Sequence, residues 1–144
     1  MLTHAEIAKL IPHAGAMCLL ERVLSWDESN IRCSSRTHRD AANPMRSDGV
    51  LPTACGIEYA AQAMAVHGGL AGAIGARPAS GYLAALRDVT CREGALDGVE
   101  GELVIDAERL MGDEARVIYQ FTVTVGTTEM LKGRATVILD AGGA

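Results

Sequence analysis

The sequence predicts an α+β fold in which a largely antiparallel sheet wraps around one long helix. Three observations lead there. Residues 54–76 place Ile57, Ala61, Met64, Ala65 and Gly68 at helical spacing. Every segment after Ser80 reads as extended, over 82–91, 101–111, 115–125 and 128–139, with turns at Gly112-Asp113 and Gly126-Thr127. No strand alternates with a helix, so βαβ units are excluded and antiparallel pairing remains.

Each element has its own local cause. Thr3 followed by Glu6 is a capping box, and Ile7, Leu10 and Ile11 line one face of a short helix that must stop near Pro12. Residues 12–16 form a loop. Strands over 17–26 and 31–37 make a hairpin around the turn residues Asp27, Glu28, Ser29 and Asn30. Residues 38–53 carry Pro44, Pro52 and Asp48-Gly49 with little periodicity, which predicts a long irregular segment, and segments that long usually serve function. The long helix is lined by Gly56, Ala60, Ala61, Ala63, Gly68, Gly69 and Gly72. Each glycine costs about 1 kcal/mol of helix propensity relative to alanine, a cost tolerated where another surface approaches the helix axis closely. In 117–125, Val117, Tyr119, Phe121, Val123 and Val125 fall on one side, which predicts one packed and one solvated face.

A length of 144 residues with 49% apolar side chains fits one domain over 1–144. The net charge of -5 disfavours phosphate-backbone binding, and aromatics at 3% leave almost no material for base stacking, so nucleic acid is not an expected partner. Cys18, Cys33, Cys55 and Cys91 show no zinc-ligand spacing and read as small reduced hydrophobes, so no metal is expected. The N-terminus lacks a signal-peptide pattern, and 60–76 is interrupted by Gln62 and His67. The expectation is a cytoplasmic protein without a membrane span. Gly68-Gly69 and Gly72 lack the preceding strand of a dinucleotide fingerprint, so no nicotinamide site and no cofactor are expected.

Glu58 lies in the first turn of the long helix, where a carboxylate either complements the positive helix end or donates a proton beside backbone N–H groups that can hold an oxyanion. His13, beside Gly15 in a loop, is either a solvated residue or a catalytic one. His67 falls nine residues after Glu58, on roughly the opposite helix face, so the two cannot share a site within one subunit. His4 and His38 read as surface residues. The scattered basic side chains, Arg87, Lys132 and Arg134 among them, are either ordinary solvated charge or a modest docking patch for an acidic partner.

Residues 10–23, LIPHAGAMCLLERV, resemble the opening of 3-hydroxyacyl-[acyl-carrier-protein] dehydratases. Leu51-Pro52 with GIEYAAQAM over 56–64 resembles that family's central helix, and GYLAALRDV over 81–89 resembles the strand that follows. The likeness covers nearly the whole chain in order. Its segment GIEYAAQAMAVHGGL most resembles the branch encoded with aryl-polyene and related polyketide pathways. The resemblance implies a hotdog fold and active sites at a dimer interface. It further implies cofactor-independent dehydration of 3-hydroxyacyl chains on acyl carrier protein, in fatty-acid or polyketide synthesis. Glu58 is then the acid and His13 the substitute base, with Asn43, Pro52, Gly56 and Gln62 as substrate-binding positions. One departure stands out. The family's histidine, fourteen residues before the helix acid, is Pro44 here, next to Asn43. An incomplete hotdog subunit paired with a complete dehydratase, as a heteromer rather than a homodimer, is therefore the alternative. Thioester hydrolysis by a carboxylate-activated water is a third reading.

Overall fold

The computed structural model describes residues 2–11, 17–71, 80–113 and 115–140. The chain runs β1 (Leu2–Thr3), α1 (His4–Ala8), β2 (Arg22–Trp26), β3 (Asn30–Ser35), α2 (Gly56–Ala71), β4 (Ser80–Cys91), β5 (Leu103–Gly112), β6 (Arg116–Val125) and β7 (Thr128–Asp140). Short 3-10 turns occupy Thr37–Arg39 and Thr53–Cys55. All strands join one sheet in the order β1-β2-β3-β5-β6-β7-β4, every neighbour antiparallel.

The alternation in β6 sets its faces as expected: Val117, Tyr119, Phe121 and Val123 are buried, while Gln120 between them is exposed. Those side chains meet Ile105 and Leu103 of β5 and Leu131 of β7 in a core closed by Tyr59, Ala60, Ala63 and Val66 of α2. Gly56 shows why the helix start carries a glycine, since an added Cβ would lie 2.9 Å from Leu131 Cδ2. Gly68 meets no such neighbour within 4 Å, so close approach explains only part of the small-residue lining.

The capping box forms, with Thr3 accepting from the Glu6 N–H and the Glu6 carboxylate accepting from Thr3. Several boundaries differ from expectation: α1 ends at Ala8, short of Leu10 and Ile11, and β3 ends at Ser35 with Thr37 in the following 3-10 turn. β1 is too short to leave a periodic trace, and the hairpin's first strand starts at Arg22 instead of residue 17. In 17–21, both backbone groups of Leu19 are taken by side chains rather than by a neighbouring strand, the N–H by Gln62 and the carbonyl by Ser35 and Thr37. The part of the expected long helix beyond Ala71 lies outside the described residues.

At the other sheet edge, β4 pairs with β7 alone among the described strands and bulges between Arg87 and Thr90, where Asp88 takes a φ of 53°. The bulge turns Val89 over Gly133, whose missing Cβ would lie 2.9 Å from Val89 Cγ2 and 3.1 Å from Phe121 Cζ. Residues 84–91 are exposed throughout.

Candidate functional site

The first turn of α2 presents Glu58, half-buried, and one helical turn later Gln62, fully buried. Position i+4 puts both on the same side of the helix. The Gln62 amide donates to the Met17 carbonyl (2.7 Å) and to Glu58 Oε1 (3.3 Å), and its oxygen accepts from the Leu19 N–H (2.8 Å). Gln62 thereby fastens the segment entering the first hairpin to the helix that carries the acid. Replacing it with leucine would strand the Leu19 N–H and the Met17 carbonyl. We expect Gln62→Leu to cost about 2–4 kcal/mol, read as a lower urea midpoint at constant m-value.

Beside Gln62, Tyr59 is buried beneath a second polar chain. The Asn43 amide donates to Tyr59 Oη (3.0 Å) and to the Thr37 carbonyl (2.8 Å), while Asn43 Oδ1 accepts from the Met45 N–H (2.8 Å). Tyr59 Oη lies 2.7 Å from Thr37 Oγ1, which donates to the Leu19 carbonyl (2.8 Å). With the Thr37 proton committed to that carbonyl, Tyr59 donates to Thr37. The chain from Asn43 through Tyr59 and Thr37 to Leu19 thus ends on the same residue that Gln62 grips. Burial raises the Tyr59 pKa, which keeps the phenol neutral and able to donate.

The irregular segment before the helix is held firmly. The Arg46 guanidinium donates to the carbonyls of Asp40 (2.9 Å), Gly49 (2.8 Å) and His38 (3.3 Å) and lies 4.0 Å from Asp97 Oδ2. Asp97 also accepts from the Leu51 N–H, and its carboxyl pKa is lowered chiefly by that bond. Leu96 N–H bonds the Leu51 carbonyl (2.7 Å), and Pro52 bridges Ala95.

His38 corrects the surface reading. It is fully buried, with Nε2 donating to the Val99 carbonyl (3.0 Å) and Nδ1 buried without a partner. Burial lowers its pKa, and the neutral ring carries its proton on Nε2. His4 is exposed, 2.9 Å from the Leu20 carbonyl.

Of the positions named from sequence, Glu58 and Gln62 are in direct contact, and Asn43 joins them through Tyr59 and Leu19. Gly56 lies under Leu131 of β7, and Pro52 is exposed at the start of the 3-10 turn leading into α2. His13 lies outside the described residues. His67 is buried elsewhere, 2.6 Å from Tyr119 Oη and donating to the Asp27 carbonyl (2.9 Å), apart from the Glu58 contacts as its helix position requires. Cys18 and Cys33 are buried, Cys55 is partly buried, and Cys91 at the end of β4 is exposed. The described residues hold no cluster of three metal-ligating side chains. No helix among them is long and apolar enough to cross a membrane. Sequence reasoning missed Tyr59, Thr37 and the Arg46–Asp97 pair; a tyrosine directly following the helix acid was the one local sign.

A family model described as ApeP-like, ApeP dehydratase, matches residues 5–141. The dehydratase heterocomplex ApeI:P from Xenorhabdus doucetiae superposes with a TM-score of 0.83 at 25% identity, over 99% of this chain and 94% of that one. A thioesterase from Haemophilus influenzae follows the same fold with a TM-score of 0.62 at 14% identity, over 97% of this chain and 92% of that one. Zebra fish thioesterase superfamily member 2 does so with 0.63 at 16%, over 97% and 100%. No significant match is found among curated proteins. The antiparallel sheet around one helix is the expected hotdog fold.

Proposed function

Because the chain belongs to the ApeP-like dehydratase family, we propose that it eliminates water from 3-hydroxyacyl thioesters carried on acyl carrier protein, in aryl-polyene or related polyketide synthesis. The observation that carries this reading is the Gln62 clamp. It orients Glu58 and ties it to Met17 and Leu19, which follow His13 closely in the sequence. In the reaction His13 takes the C2 proton, the C2–C3 double bond forms as the C3–O bond breaks, and Glu58 protonates the departing hydroxyl to give water. Backbone N–H groups polarise the thioester carbonyl, and no cofactor is required. Asn43, Pro52, Gly56 and Gln62 frame the acyl chain. The protein works in the cytoplasm as a dimer or as a heteromer with another hotdog dehydratase.

One observation favours a second reading, the non-catalytic partner. Pro44 stands where the family's loop histidine would be, and Asn43 beside it spends its amide on the loop itself. A single assay separates the two. The purified chain is given a carrier-bound 3-hydroxyacyl substrate and enoyl-thioester absorbance is followed, first alone and then with a complete hotdog dehydratase. Turnover by the chain alone supports the enzyme. Turnover that appears only on mixing, above that of the added enzyme, supports the partner. Release of free thiol without enoyl product would overturn both and favour hydrolysis.

A further inference from the structure

The edge strand β4 is unfinished on three sides. Its outer hydrogen-bonding edge has no partner among the described residues, and its inward side chains Leu86 and Val89 are each 39% exposed. An apolar edge of twelve residues left this way is a pairing surface. The outward face of β4 and its neighbour β7 carries Arg87, Arg134 and Lys132. Arg87 lies directly opposite Arg134 of β7, and Lys132 is opposite Thr90 further along the same face. Arg134 points outward because Gly133 and Ala135 on either side are buried. Neither the Arg87 nor the Arg134 guanidinium has a hydrogen bond or ion pair among the described residues, and Lys132 has only the exposed Glu129 at 3.9 Å. Asp88 on the strand and Glu93 just past its end are nearby exposed acids, and neither pairs with these arginines. Like charges directly opposite on a sheet are destabilising. Here they stand unpaired on a chain whose net charge is -5.

We infer that the β4 edge selects a different hotdog subunit, one bearing carboxylates on the outward face of its own edge strand, over a second copy of this chain. The inference rests on the proposed pairing with another hotdog dehydratase and gives that pairing its chemistry. A second copy joining edge to edge in antiparallel fashion puts both outward faces on one side of a continuous sheet. With strands about 4.8 Å apart and Arg87 near the middle of β4, the two Arg87 side chains then lie on the order of 10 Å apart, within about one Debye length. Arg134 of each copy extends the same positive band. An acid-bearing partner replaces that repulsion with cross-strand pairs while the exposed Leu86 and Val89 supply the apolar contact common to both pairings.

The test uses this chain as its own surrogate partner. A charge-reversed copy, Arg87→Glu/Arg134→Glu, is mixed with wild type, and the affinities of the like and mixed pairs are measured by sedimentation and native mass spectrometry. The mixed pair should associate about tenfold more tightly than wild type with itself at low salt. The difference should collapse in about 1 M sodium chloride. Equal affinities for mixed and like pairs, or a preference indifferent to salt, would overturn the inference. Should the double reversal fail to fold, the neutral Arg87→Gln/Arg134→Gln chain serves. Its self-association should exceed that of wild type with a flattened salt dependence, and unchanged self-association would overturn the inference equally. Because mass is read and not turnover, this inference and the dehydratase reading fail separately.

Discussion

Glu58→Gln should abolish most water elimination while leaving the fold in place. An amide is nearly isosteric with the carboxyl but cannot give up a proton to the leaving hydroxyl, so turnover should fall by about 10² to 10⁴. That is a loss of about 3 to 5 kcal/mol of transition-state stabilisation. The Gln62 amide, which donates to Glu58 Oε1, still finds a carbonyl oxygen there, and this protects the Met17 and Leu19 anchors. Thermal midpoint and substrate KM should therefore change little, placing the loss in kcat. Turnover equal to wild type on a carrier-bound 3-hydroxyacyl substrate would remove Glu58 from the mechanism.

His13→Ala should produce a loss of the same order, about 10² to 10⁴ in kcat, if His13 is the base that takes the C2 proton. A base acting with Glu58 also shapes the pH profile. The ascending limb of kcat/KM, which reports the free base, should disappear in the variant and remain in Glu58→Gln. Activity that survives His13→Ala would reject this assignment. The next group to remove would then be His38, whose buried Nδ1 has no hydrogen-bond partner among the described residues.

How far local pattern reached depended on how local the cause was. Val117, Tyr119, Phe121 and Val123 alternate because one strand has one buried face, so a nine-residue window contained the whole cause. The turns at Gly112-Asp113 and Gly126-Thr127 were legible for the same reason. Leu19 was misread as strand because what holds its N–H is Gln62, forty-three residues away. His38, flanked by Thr37, Arg39 and Asp40, had every local mark of a surface residue. Its burial is decided by Val99, sixty-one positions later, which no window around it contains. In the candidate site, Glu58 and Gln62 stood out through motif position. The Asn43–Tyr59–Thr37 chain did not, because hydroxyl and amide side chains carry no periodic signal and their partners are set by tertiary approach.

The way Asn43 is used makes a histidine hard to accommodate in this loop. A histidine introduced at 43 forfeits the bonds to Thr37, Tyr59 and Met45, and with them the brace that reaches Leu19 and the Glu58 helix. A histidine at 44 replaces a proline whose side chain is exposed on the turn beyond that brace, so it inherits no built pocket within the chain. Neither single exchange installs the histidine of the resembling family in a ready site, because the Asn43 amide is built into the loop and the helix. In the proposed dehydration, the proton acceptor then has to come from another segment, as His13 does, or from another subunit.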